Sequence, residues 1–405
     1  MFGLVLTAAL APAAPPVDPD PKHLAVPPAE QARAAALVEK LGSPRYDERE
    51  KAQDDLAAIG RKALPALTEA LARHASAEVR ARCQTIYPRA RADDLQARLE
   101  VFVADEGGKF EHDLPGWAEF RQVTAGCGPV ARTVFAEIVG NPLGRELLLT
   151  DLPPQDLGLR IALRKQEMYQ RRYNPTRPGQ VQEPAAVEVL ALMLAETRVP
   201  SRHVPRSNFS IIIYQSSGFV SAINGGPQAR VYRAIAGKWV ASRDDAVLMQ
   251  QALTVGQTLD IPEAADLGAR MVKTDGVTPQ LKAQAAMAVA KVGNAKHLPA
   301  LESAFKDEGA LPIAGAGVII AGPAGAPVAK AARAMQLRDV ALAAALLLTQ
   351  QDPTEYGFET SNPPPRGVAA RLQYTAWRLS SERRAAAFEK WAEWRAANPD
   401  YGQIR

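Results

Sequence analysis

Residues 64–71 run Leu64-Pro65-Ala66-Leu67-Thr68-Glu69-Ala70-Leu71, and residues 298–305 run Leu298-Pro299-Ala300-Leu301-Glu302-Ser303-Ala304-Phe305. Each phrase follows a run with helical apolar spacing that stops at a glycine, Gly60 in the first case and Gly293 in the second. Glycine ends helices at little steric cost, and a proline near a helix start removes only an amide that has no helical partner there. The phrase therefore predicts a helix–turn–helix unit that occurs twice. A unit of this size cannot bury its apolar face alone, so its recurrence predicts helices stacked around a shared core.

Outward from the first copy the pattern stays helical from Ala29 to about Ala92. Leu37, Val38 and Leu41 make one apolar face that ends at Gly42, and Ser43-Pro44 breaks the chain. Ala52, Leu56 and Ile59 stripe a second helix over Asp47–Ile59; Leu64, Leu67 and Leu71 stripe a third. Val79, Cys83 and Ile86 mark a fourth over Ala77–Tyr87, which Pro88 is expected to end or kink.

These residues resemble the HEAT repeat in its short bacterial form, which also occurs in phycobilisome-lyase-like proteins. The resemblance rests on Asp47-Glu48-Arg49 opening a helix, Leu56-Ala57-Ala58-Ile59-Gly60, Ala63-Leu64-Pro65-Ala66-Leu67, the Ala70-Leu71 pair and Glu78-Val79-Arg80. The second copy spans Leu281 to Asp307, with Ala285-Ala286, Val289, Val292-Gly293 and Leu298-Pro299-Ala300-Leu301. Together the copies cover roughly a quarter of the chain, fewer units than the three or so of a regular solenoid. The resemblance implies an all-α fold, an alpha-alpha superhelix of the ARM/HEAT type, in which the other helices are degenerate repeats or caps. It carries over packing positions and no catalytic residue.

The remaining segments fit that frame. Residues 93–265 are a degenerate helical region, in which Asp113-Leu114-Pro115-Gly116 turns into Trp117–Val123 and Pro129–Val139 is amphipathic. Between 208 and 240, Ile211-Ile212-Ile213-Tyr214 has strand composition, yet Val231, Ile235 and Trp239 keep helical spacing; helix on both sides of Gly225-Gly226 is the preferred reading. Residues 266–309 hold the second repeat. Residues 310–330 are a Gly-rich insertion, open between one or two short strands near 310–325 and an apolar loop. Residues 331–405 form a C-terminal helical cap with a buried run over Leu337–Leu348. Its last helix, about Ser381–Ala397, uses Phe388, Trp391 and Trp394 to seal the end.

Composition bounds the rest. With 47% apolar residues in 405, a packed core is expected, and a net charge of +4 on that length gives little drive towards an anionic partner. The apolar run Phe2–Leu10 followed by Ala11-Pro12-Ala13 has the form of a signal peptide over residues 1–14, although no Lys or Arg precedes it. It predicts export to the periplasm or beyond; if the leader is retained, the protein is cytoplasmic. Residues 15–28 are a Pro-rich linker, expected to be an extended tether. No later run is long and apolar enough for a membrane helix. Cys83 and Cys127 are too few for a disulfide framework, and whether they pair is open.

Candidate chemistry is sparse. Gly315-Ala316-Gly317 lacks the third glycine and the strand-before-helix context of a dinucleotide loop. Glu111-His112-Asp113 points in different directions along any regular backbone and is taken as a solvated turn. Ser216-Ser217-Gly218 is no nucleophile elbow, and Asp54-Asp55, Asp93-Asp94 and Asp244-Asp245 are charged helix faces. No catalytic residue, metal ligand or cofactor is assigned. The one notable stretch is Arg160–Arg177, where Arg160, Arg164, Lys165, Arg171 and Arg172 interleave with Tyr169 and Tyr173. It is the candidate contact patch for an anionic partner. The sequence thus favours a non-catalytic scaffold for an unidentified protein partner. The alternatives are a lyase-type enzyme or enzyme accessory built on such repeats, and a helical array that binds nucleic acid or another polyanion; nucleic acid is disfavoured if the chain is exported.

Overall fold

The computed structural model describes residues 17–150, 152–173, 182–311, 335–360 and 372–402. The described chain is mostly helical, with very little strand. It divides into two compact units, up to Glu137 and from Ile138 onward.

The first unit holds α1 (Pro28–Lys40), α2 (Tyr46–Ile59), α3 (Leu64–Arg73), α4 (Ala77–Ala104), α5 (Trp117–Val123) and the start of α6 (Pro129–Gly140). The predicted stripes are its core: Leu37, Val38, Leu41, Ala52, Leu56, Leu67, Val79, Cys83 and Ile86 are buried against one another. Gly60 ends α2 with φ +61, a conformation that an L side chain rarely adopts, and a 3-10 turn over Gly60–Ala63 leads into α3. Cys83 is buried and Cys127 half-buried; both are free thiols, so they do not pair.

Two expectations are corrected here. Pro88 does not end its helix, because α4 continues through it to Ala104 and across the 92/93 boundary drawn from sequence. Buried residues lie on both sides of the proline, Val79, Cys83 and Ile86 before it and Ala90, Leu99 and Phe102 after it, and their packing offsets the backbone hydrogen bond it removes. The linker, too, is not simply a tether: Pro21–Leu24 forms a 3-10 turn capped by Asp20, and Arg61 Nη1 donates to the Leu24 carbonyl at 2.8 Å. A second cluster joins Phe102, Trp117, Phe120 and Phe135, with the Arg132 guanidinium 4.0 Å above the Phe102 ring.

The second unit contains α7 (Pro142–Leu148), α8 (Pro154–Tyr173), α9 (Ala186–Thr197), α10 (Phe209–Gln215), α11 (Ser217–Asn224), α12 (Ala229–Ala241), α13 (Ala246–Thr258), α14 (Glu263–Lys273), α15 (Pro279–Val292), α16 (Leu298–Ser303), α17 (Leu337–Leu348) and α18 (Ser381–Ala397). The Ile211–Tyr214 run is helical: Phe209, Ile212 and Ile213 pack inward, and Ser216 caps the next helix by accepting from the Phe219 amide. Buried on nearly every side, α17 forms a central element, and α15 packs along it. Strand β1 (Ala310–Leu311) pairs antiparallel with β2 (Met335–Gln336), and β3 (Glu359–Thr360) with β4 (Trp377–Arg378). The first pair begins where the sequence left strand and loop open; the Gly315–Gly317 phrase lies outside the described residues, as do the leader residues 1–14. The last helix packs as its aromatic spacing implies, with Phe388 and Trp391 against Phe305 and Trp394 against Trp391 and Tyr401. Arg384 anchors it through two bonds to the buried Asp339 carboxylate, at 2.7 and 2.9 Å.

Helix α8 approaches its neighbours closely at Gly158, where a Cβ would lie 2.3 Å from the His203 carbonyl oxygen. Gly158→Ala is therefore expected to shift α8 and lower stability, whereas Gly140→Ala, at a site with open space, has no such clash. Leu67→Ala should cost about 3 kcal/mol in chemical denaturation, as for a fully buried leucine. A loss below about 1 kcal/mol would contradict the core position of Leu67.

Candidate interaction face and its buried charge centre

The basic stretch forms most of α8, and helical spacing sorts it into sides. Leu157, Ile161, Lys165 and Met168 face inward. Arg160, Arg164 and Arg171 line one flank, as their spacing predicts, but each already faces an acid of this chain. Arg164 contacts Glu146 at 2.7 Å and Glu167 at 2.6 Å, Arg160 lies 3.7 Å from Glu146, and Arg171 lies 3.3 Å from Glu188. The hydrogen bonds that Arg164 donates to Glu167 and Glu146 raise its pKa above the ordinary value, so its charge is held more firmly. Arg172 is half-buried and adds to the field that lowers the Glu183 carboxyl, although hydrogen bonds from Ser217 dominate that shift. Tyr169 is exposed; the Tyr173 side chain and Arg177 lie outside the described residues.

Lys165 does not join the arginines as a surface cation. Its side chain is 4% exposed and pairs with Glu196, itself 1% exposed, at the end of α9. The second Glu196 oxygen accepts from Trp239 Nε1 at 2.6 Å and lies 3.5 Å from Arg243 Nη1, and the Arg243 side chain is 1% exposed. Arg243 also donates from Nε to the Trp239 carbonyl and from Nη2 to the Glu196 carbonyl, each at 3.1 Å. The Lys165 ammonium sits 4.4 Å above the Phe209 ring. One carboxylate thus faces two cations in the interior and joins α8, α9 and α12. Burial lowers the pKa of both cations, and attraction to Glu196 opposes that shift. Sequence reading missed Glu196 and Arg243. The available signal was an acid closing the apolar run Val189–Ala195; nothing local marks Arg243.

A comparable centre in the first unit overturns the reading of residues 111–113 as a solvated turn. Glu111 and Asp113 are exposed, but the His112 side chain is 3% exposed and its Nε2 lies 3.0 Å from Asp105 Oδ2. Asp105 also accepts from the Lys109 and Phe110 amides and lies 3.4 Å from Arg132. Burial alone would raise the Asp105 carboxyl; the two amides, His112 and Arg132 outweigh it and hold it at about 2, below its usual 3.8. The turn is fixed because its own chain supplies the carboxylate seven residues upstream. Among the described residues no three His, Cys, Asp or Glu side chains gather as metal ligands, and no helix is long and apolar enough to cross a membrane.

The outward side of α8 carries Leu159 and Leu163, one helical turn apart and 61% and 60% exposed. Next to the arginine flank they give the helix an apolar stripe with a charged margin.

Between pH 4 and 2 the unfolded chain binds a proton at Asp105 that the folded chain resists, so stability must fall as pH falls through that window. Asp105→Asn should remove this part of the acid dependence, which denaturation at a series of pH values will show. Glu196→Gln leaves Lys165 and Arg243 facing no buried counter-charge and should cost about 3 kcal/mol or more. Lys165→Met leaves Glu196 paired with Arg243 and should cost clearly less, measured in the same way. Comparison with family models, curated proteins and solved structures finds no match.

Proposed function

We propose that this chain is a non-catalytic scaffold of HEAT-like helix pairs that binds a protein partner through the outward face of α8. The observation that carries the proposal is the exposed Leu159–Leu163 pair, with its margin of ion-paired arginines. An apolar patch with a polar border is the arrangement of many protein interfaces. The arginines are already countered by Glu146, Glu167 and Glu188, which favours a protein contact over a polyanion grip.

The repeat reading is supported by local geometry that the two copies share. In each, a helix of 14 residues stops at glycine, a 3-10 turn follows, and a shorter helix starts with proline in its first turn. The first helix of the pair contributes buried alanine, Ala52 in one copy and Ala283, Ala285, Ala286 and Ala288 in the other, which lets helices approach closely. Extension of this pairing into an alpha-alpha superhelix, and export directed by residues 1–14, belong to the same proposal.

Leu159→Glu combined with Leu163→Glu tests it. Both positions face water, so the double variant should melt within about 1 kcal/mol of the parent. Tagged parent protein recovered from its native host should hold a partner in fixed stoichiometry, and the folded double variant should lose it. Equal retention by both proteins would overturn the assignment of this face. An amino terminus read near Ala14 would support export, and an intact Met1 would remove it.

A further inference from the structure

The opposite flank of α8 borders a cleft of about 320 Å³, lined by Lys165, Gln166, Tyr169, Arg206, Ser207, Phe209 and neighbouring residues. That volume is at the lower end of the ~300–1,000 Å³ range of small-molecule pockets. Its walls divide by chemistry. Phe209, Ile212, Ala162 and Pro205 form an apolar side, and Lys165, Gln166, Ser207 and Asn208 form a polar side rich in donors.

Two observations make the polar side unusual. First, Lys165 reaches the cleft wall from the buried centre, where it and Arg243 face the Glu196 carboxylate and Asp244 adds to the field at Arg243. A buried ammonium gains from each further counter-charge that reaches it. Both Glu196 oxygens are already engaged, one by Lys165 and the other by Trp239 Nε1. Second, the Ser207 hydroxyl is buried and has no hydrogen-bond partner among the described residues, although it lines this cleft. A buried polar atom without a partner is a rare cost in a folded chain, and a ligand oxygen would satisfy it. Arg206 adds a cation at the rim, where Asp245 holds it at 2.8 Å.

We infer that this cleft binds a small organic carboxylate with an apolar or aromatic body. The carboxylate would accept from the Lys165 ammonium and from Ser207, and the body would lie against Phe209 and Ile212. The site is separate from the Leu159–Leu163 stripe and stands or falls independently of the partner-binding proposal.

Calorimetric titration of the full chain with acetate, benzoate and phenylacetate tests the inference, with benzyl alcohol as the neutral analogue and inorganic phosphate as the anion without an apolar body. Saturable binding is expected for benzoate or phenylacetate, with weaker binding of acetate and phosphate and none of benzyl alcohol. Lys165→Met should weaken binding by about tenfold or more, the usual effect of losing a charged hydrogen-bond partner. Ser207→Ala, which leaves the charge centre intact, should weaken it several-fold and provides the test if Lys165→Met does not fold. Absence of saturable carboxylate binding would overturn the inference. So would benzyl alcohol binding as tightly as benzoate, phosphate binding in preference to every carboxylate, or affinity that neither variant changes.

Discussion

Helices α8, α9 and α12 of the second unit meet at one buried carboxylate. Glu196 lies at the end of a helix whose preceding residues Val189–Ala195 are all inaccessible, so its charge has no route to water. A carboxylate in that position persists only when cations and donors meet it. Lys165 arrives from α8, and Trp239 and Arg243 from α12 and the turn after it. Apolar attraction is non-directional. A charge that must be met by three particular side chains allows one register, and it fixes which side of α8 faces outward.

The same device operates on a smaller scale in the first unit. Asp105 ends α4 and gathers two backbone amides, His112 and Arg132. The segment between α4 and α5 is thereby tied down without regular structure of its own. Arg132 reaches back to the Phe102 carbonyl at 2.7 Å and lies over its ring, so the charge centre and the aromatic cluster share a residue. At the carboxyl-terminal end Asp339 does likewise for Arg384 and α18. In each case a buried acid near a helix end sets the placement of an element that apolar contacts would hold less specifically.

This use of charge changes the meaning of the basic stretch on α8. Read as a string, Arg160 to Arg172 is a concentration of positive charge. In the folded chain those side chains separate into an inward lysine, a flank of arginines paired with three glutamates, and a half-buried Arg172. The exposed side of the helix also carries an apolar pair, Leu159 and Leu163, where the sequence drew attention to charge.

The sequence by itself determined the helices and their inward faces. The stripe Leu56, Leu67, Val79, Cys83 was legible because helical periodicity is a local property, and the stops at Gly60 and Gly293 because glycine ends helices through its own backbone freedom. Ser381–Ala397 and Leu337–Leu348 were legible on the same grounds. Only tertiary structure decided that Pro88 lies inside a helix, since packing on both sides of it outweighs one lost hydrogen bond. It also decided that Lys165 and His112 are interior. Their partners Glu196 and Asp105 stand 31 and seven residues away, and burial of a charge depends on what converges in space, which no spacing along the chain records.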